Sequence, residues 1–184
     1  MMRSSILMAV PLLFLFVHSA YPQGKEEVKN LSPLELEAIQ ELNKGTELMR
    51  KGDYKEAIVI LKKAIDLNPD FPEAYYNVGI SYEQLGKHKD AIEMFKKTIE
   101  LSPDNANAYY ALGYAYYQRR KYKEAIDAFE NTVRLKPNNA FAFRKLGSAY
   151  LKVGEKDKAR EQYQVLKQLD NQLSDELYRE ISND

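Results

Sequence analysis

Cysteine and tryptophan are both absent from the sequence. Without cysteine there is no disulfide, no thiol nucleophile and no thiolate metal site. Histidine is scarce, with only His18 and His88. His18 falls in an apolar N-terminal segment and His88 in a turn read as exposed, so a histidine-dependent triad or zinc site lacks its parts. An excess of one charge is also missing, because 27 Lys and Arg balance 27 Asp and Glu. That balance argues against nucleic acid as a partner. The glycines are spread along the chain instead of gathering into a phosphate-binding loop. The many acidic residues fall at the ends and outer faces of helical patterns, where a solvated charge is the ordinary role. No nucleophile–base constellation remains, so no enzymatic activity, cofactor or metal is expected.

The sequence has little long hydrophobic character beyond its N-terminus. Arg3 is followed by an apolar run of 12 residues, Ile6 to Val17, interrupted only by Pro11, and then by the small residues Ser19 and Ala20. This pattern reads as a secretory signal peptide over residues 1–20. The run is shorter than the roughly 20 residues that a membrane span needs. Cleavage after Ser19 places Val17 and Ser19 at the critical sites, whereas cleavage after Ala20 places bulky His18 there. An uncleaved membrane anchor is the alternative. No cysteine follows the run, which excludes a lipid-anchored lipoprotein. The expected location is therefore periplasmic or secreted. Loss of residues 1–20 removes Arg3 and leaves a net charge of −1.

What the chain does have is a period. Glycine recurs at 45, 79, 113 and 147, alanine at 57, 91, 125 and 159, and proline at 69, 103 and 137, each at a step of 34 residues. A fixed period of this size marks a repeat architecture. A polar linker over 21–33 precedes it, and Ser32-Pro33-Leu34-Glu35 announces a helix through a capping box. The repeat region, 34–173, divides into units 38–71, 72–105, 106–139 and 140–173. Each unit splits at a central turn: Gly52-Asp53, Gly86-Lys87-His88, Arg120-Lys121 and Gly154-Glu155. Around the turns apolar residues recur at helical steps, as in Ile92, Phe95 and Ile99. If the turn needs a positive φ, Arg120 bears a strain that glycine would not. Gly79 is placed on the face that meets the second helix, opposite Ala91, where a methyl group would cost about 1–3 kcal/mol by overpacking. Leu177 and Ile181 continue an apolar stripe from Leu173, which suggests a short capping helix over 174–184, the alternative being a frayed tail.

The second unit reads Tyr75-x-x-Val78-Gly79-x-x-Tyr82, then Ala91-x-x-x-Phe95, then Pro103. The third reads Tyr109-x-x-Leu112-Gly113-x-x-Tyr116, then Ala125-x-x-x-Phe129, then Pro137. The fourth fits through Phe143, Leu146, Gly147, Tyr150, Ala159 and Tyr163. The first departs, with Glu41 and Lys44 in place of its aromatic and its leucine. This pattern resembles the tetratricopeptide repeat. The resemblance implies an all-α fold, a right-handed α-solenoid of four helix pairs, and a role in binding other proteins. It also implies a concave groove lined by the first helix of each pair. Carried onto this sequence, the groove positions are Glu73, Tyr76, Asn77, Ile80 and Glu83, then Asn107, Tyr110, Tyr114 and Tyr117, then Phe141, Arg144, Lys145, Ser148 and Leu151.

Tyrosine presents a large ring with one polar tip at low entropic cost, which suits peptide recognition. Packing is the alternative role for Tyr76, Tyr110 and Tyr117. Some members grip a C-terminal carboxylate with Lys, Arg and Asn across three adjacent groove helices. Only Asn77 fits that set in the first three units and only Lys145 in the last three, so such a clamp is not expected. The expected ligand is an extended segment or an amphipathic helix with apolar anchors. A second surface is the edge formed by the central turns, which holds twelve Lys/Arg against six Asp/Glu, with Arg119, Arg120, Lys121 and Lys123 the densest cluster. Helix C-termini favour cations, which accounts for much of this excess. The expected function is an exported scaffold that binds a peptide or helix of a partner protein. The alternatives are a self-associating structural subunit, or a module docking by its basic edge to a membrane or anionic polymer.

Overall fold

The computed structural model describes residues 31–183. The expected signal peptide and the linker up to Asn30 lie outside the described residues. Among the described residues nine helices follow in order: α1 (Pro33–Lys51), α2 (Tyr54–Leu67), α3 (Pro72–Gln84), α4 (His88–Leu101), α5 (Ala106–Gln118), α6 (Tyr122–Leu135), α7 (Ala140–Lys152), α8 (Lys156–Leu169) and α9 (Asn171–Asn183). No strand occurs among the described residues. The closest packing is within the pairs α1–α2, α3–α4, α5–α6 and α7–α8, and each pair then packs on the next. This is the expected α-solenoid.

Local chemistry sets the helix ends. Ser32 Oγ accepts the Glu35 amide at 3.2 Å and the Glu35 carboxylate accepts the Ser32 amide at 2.7 Å, a complete capping box with Pro33 in the first turn. Asn105 and Asn139 cap α5 and α7 by accepting the amides of Ala108 and Ala142. The central turns each take one residue into the left-handed region: Gly52 at φ 87°, Gly86 at 70°, Gly154 at 80° and Arg120 at 58°. The strain expected at Arg120 is therefore present, and the left-handed region costs a residue with a Cβ about 1–2 kcal/mol. His88, expected in an exposed turn, is half-buried.

The core is a row of aromatic and aliphatic side chains between paired helices. Phe95, Phe129 and Leu61 are completely buried. The structure names the nearest neighbour of the periodic glycine. A methyl group on Gly79 would first meet Phe95 on the second helix, 2.5 Å from a ring carbon. On Gly113 it would lie 2.7 Å from Phe129, and on Gly45 2.5 Å from Leu61. The glycine makes room for the large residue one turn beyond the alanine. Buried Ser81, Thr98 and Thr132 return their hydroxyls to carbonyls four residues back, which satisfies them without a cross-helix partner.

The last junction differs from the others. α2 and α3 are joined by residues 68–71, α4 and α5 by 102–105, and α6 and α7 by 136–139, each link holding one of the periodic prolines. Between α8 and α9 there is only Asp170, and Asn171 stands where the proline would be. The capping helix thus begins at Asn171, three residues ahead of the expected boundary at 174. It buries Leu173, Leu177 and Ile181 against the end of the stack. Its path brings it much closer to α7 than α3 comes to α1, or α5 to α3.

Candidate functional site: the face of the first helices

Side chains of α1, α3, α5, α7 and α9 meet in one continuous line. At its start Thr46 Oγ1 donates to the Leu42 carbonyl and accepts Asn77 Nδ2 at 3.1 Å, which ties α1 to α3. The next two groove tyrosines are part of the wall. Tyr76 packs on Phe95 with ring centroids 5.8 Å apart, and Tyr110 packs on Phe129 at 5.7 Å. Burial drives both phenols above their ordinary pKa, Tyr110 to about 12. Ile80 and Asn107 are half-buried beside them.

Further along, the line opens. Lys145 on α7 sits over two rings of α5, with Nζ 5.5 Å from the centroid of Tyr114 and 5.8 Å from that of Tyr117. This arrangement is a cation–π contact with two donors. Burial, and then the nearby charge of Arg144, lower the lysine pKa. The ammonium is thus partly stripped of water. Tyr117 is braced edge-on by Tyr122, with centroids 5.2 Å apart. Phe141, one turn before Lys145 on α7, is 44% exposed.

Two expected groove residues already have partners on α9. Arg144 Nε lies 2.7 Å from Glu176 Oε2, and Arg144 Nη2 lies 2.8 Å from Glu180 Oε1. Ser148 Oγ donates to Glu180 Oε2 at 2.6 Å. Glu83 stands apart from the line. Its carboxylate is paired with His88 Nδ1 at 2.8 Å across the turn between α3 and α4, its second oxygen is buried without a hydrogen bond, and burial raises its pKa. Glu176 and Glu180 were not among the residues expected in the groove. The signal for them was the missing proline at 171, which shifts the capping helix toward α7.

The basic edge is also visible, and much of its charge is engaged locally. Lys121 pairs with Glu124 at 3.3 Å and lies over Tyr116. Lys158 pairs with Glu155 and lies over Tyr150, and Lys87 lies over Tyr82. Arg50 holds the Glu47 carboxyl down at about 2. Arg119, Arg120 and Lys123 remain exposed. Of these cations Arg50, Lys121 and Lys158 have an opposite charge within 3.6 Å, which neutralises part of the edge and leaves it with an excess of basic residues.

Comparison with known proteins agrees with this geometry. The model of the family described as tetratricopeptide repeat matches residues 79–140 and 110–174, and a second model, described as TPR repeat, matches 45–86. The chain belongs to the tetratricopeptide repeat family. No curated protein sequence matches it. Among solved structures it is similar to a MamA protein, at 34% identity and a TM-score of 0.69 over 72% of each chain. It is also similar to MamA from residue 41 onward of Desulfovibrio magneticus RS-1, at 25% identity and a TM-score of 0.70, covering 80% of this chain and 94% of that one. The first tetratricopeptide domain of Spaghetti (RPAP3), solved with the HSP90 peptide SRMEEVD, is similar at 27% identity and a TM-score of 0.64, covering 65% of this chain and 95% of that one. Members of this family are in general interaction modules.

Proposed function

We propose that this protein is an exported scaffold that holds a peptide segment or helix of a partner protein in the groove between α5 and α7. The observation that carries this reading is the cluster of Tyr114, Tyr117, Lys145 and Phe141. It combines two half-buried rings, an exposed phenyl group and a partly dehydrated cation on one face. Rigid aromatic anchors around one charged group are the composition of protein-binding hot spots. The fitting ligand inserts one or two apolar side chains beside Phe141 and brings an acidic group or a carbonyl to Lys145. Recognition of a free C-terminus by the carboxylate clamp is not part of the proposal. Asn77 is spent on Thr46, and Arg144 is spent on α9. Export rests on the N-terminal segment, whose basic residue, apolar run and small residues match a signal peptide.

The test is crosslinked capture from the envelope fraction of the source cell, followed by an affinity measurement on the captured protein. Tyr114→Ala combined with Tyr117→Ala is expected to weaken that affinity at least about a hundredfold, the loss of two hot-spot rings. Helicity is expected to be retained, because neither ring is in the fully buried row. Tyr110 is a poor choice for this test, since its ring supports Phe129. Undiminished affinity in the double variant would overturn the groove reading. The exchange of Arg119 and Arg120 for Ser is expected to leave binding unchanged, and loss of binding there would move the site to the basic edge.

A further inference from the structure

We propose that α9 can leave its own stack and occupy the same position on a second copy of this chain, so that two copies associate by exchanging their C-terminal helices. Three observations converge on this. First, α9 is held as a ligand is held. Glu176 and Glu180 bracket Arg144, Glu180 also accepts from Ser148, and Leu177 fills the space left by Gly147. All of these contacts are to α7, and any copy of the chain offers them.

Second, the hinge is a single residue. Asp170 ends α8 through its amide, bonded to the Leu166 carbonyl at 2.7 Å. It also starts α9, through its carboxylate on the Leu173 amide at 2.9 Å and its carbonyl on the Ser174 amide. Its extended backbone, φ −160° and ψ 107°, is the only break between the two helices. Third, nothing in the sequence enforces that break. Residues 156–183 contain neither proline nor glycine, whereas each of the three earlier links carries a proline. Rotation of Asp170 into the helical region joins α8 and α9 into one helix. At 1.5 Å per residue its α9 part then projects about 20 Å beyond the stack. There Leu173, Leu177 and Ile181 are bare, and they can be buried again only on another molecule. Exchange restores the contacts of α9 with α7 and gives up the Asp170 cap, so the balance is set by the hinge and by concentration.

The hinge can be biased both ways, which makes the idea testable on the full-length chain. Asp170→Ala removes the cap of α9 and favours the straight helix. Asn171→Pro leaves α9 able to form, because proline suits a first helical position, yet it forbids the continuous helix. In sedimentation velocity over a wide range of concentration, the association constant is expected to rise about tenfold or more in Asp170→Ala and to fall at least as much in Asn171→Pro, relative to the unmodified chain. The route is read by mixing a Ser148→Cys copy with a Glu180→Cys copy and adding a short bismaleimide, which works cleanly because the chain has no other cysteine. Crosslinked pairs are expected in the Asp170→Ala background and not in the Asn171→Pro background. A monomer in all three forms would overturn the proposal, and so would equal association in all three, or dimers that give no crosslink. None of these results bears on the Tyr114–Tyr117 groove, whose test is separate.

Discussion

In the second and third helix pairs, the glycine of the first helix faces a ring on the second helix of the same pair: Gly79 meets Phe95 and Gly113 meets Phe129. In the fourth pair the glycine is kept but the ring is displaced. Tyr163, at the position of those phenylalanines, is half-exposed and stacks on Tyr178 of α9 at 5.5 Å, and the space over Gly147 is filled by Leu177. The middle pairs therefore complete their own cores, while the last pair depends on a separate helix. The groove residues follow suit. Tyr76 and Tyr110 lie on their own Phe, whereas Arg144 in the same register reaches Glu176 and Glu180 on α9. Repeat proteins gain stability from neighbouring interfaces, and a terminal unit must find a substitute for the neighbour it lacks.

The sharpest test of this difference is to remove the two aromatic side chains in turn. Phe129→Ala is expected to cost about 3–5 kcal/mol, since it empties a completely buried site. Tyr163→Ala is expected to cost about 1 kcal/mol or less, because its ring is half in solvent and its role over the glycine is taken by Leu177. Denaturant titration of both variants checks this, and similar losses would mean that the fourth pair is built like the others.

A smaller effect is expected from adding a methyl group to the glycines. Gly113→Ala forces a Cβ to 2.7 Å from Phe129, a ring fixed inside the stack, and is expected to cost about 1–3 kcal/mol throughout the chain. Gly147→Ala presses at 2.5 Å on a methyl of Leu177, which belongs to a helix on a one-residue hinge. The displacement there is local. Amide exchange is expected to lose its protection in α9 while α3–α6 keep theirs. Uniform loss in both variants would show that α9 is as much part of the cooperative core as α6.

Most of the fold was legible because the repeat repeats. Four in-register copies of Gly and Ala and three of Pro average out the ambiguity of any one helix, and the chemistry of Ser32, Pro33 and Glu35 marks the start. The glycine's true neighbour was less legible, since a period gives the helix face but not which residue on the opposing helix reaches it. In the groove, the helix that each residue belongs to was readable. Whether a side chain is free was not, because that depends on contacts between elements distant in sequence. Lys145 is held by Tyr114 from the preceding pair, and Arg144 by residues more than thirty positions on. The displacement of α9 was signalled by one residue, Asn171 in place of proline, and that signal gives the absence of a stop without the direction of the new helix.

The middle pairs are not identical to each other, and the smallest expected effect lies where they differ. Arg120 holds the left-handed position that glycine holds in the other three turns, at φ 58° against 70° for Gly86. Relief of the strain in Arg120→Gly is worth about 1–2 kcal/mol, and the greater freedom of glycine in the unfolded chain takes back about 0.5–1 kcal/mol. A net gain of about 0.5–1 kcal/mol follows, or a rise of roughly 2 °C in Tm for a chain of this size. The converse change, Gly86→Arg, meets no atom within 4 Å of the added Cβ. Its cost is therefore the backbone conformation alone, and a loss of similar size is expected. If both changes move Tm in these opposite directions, the turns of the second and third pairs are interchangeable and Arg120 is kept against its conformational preference. A fall in Tm for Arg120→Gly would show instead that the arginine side chain makes a contribution larger than the strain of its backbone.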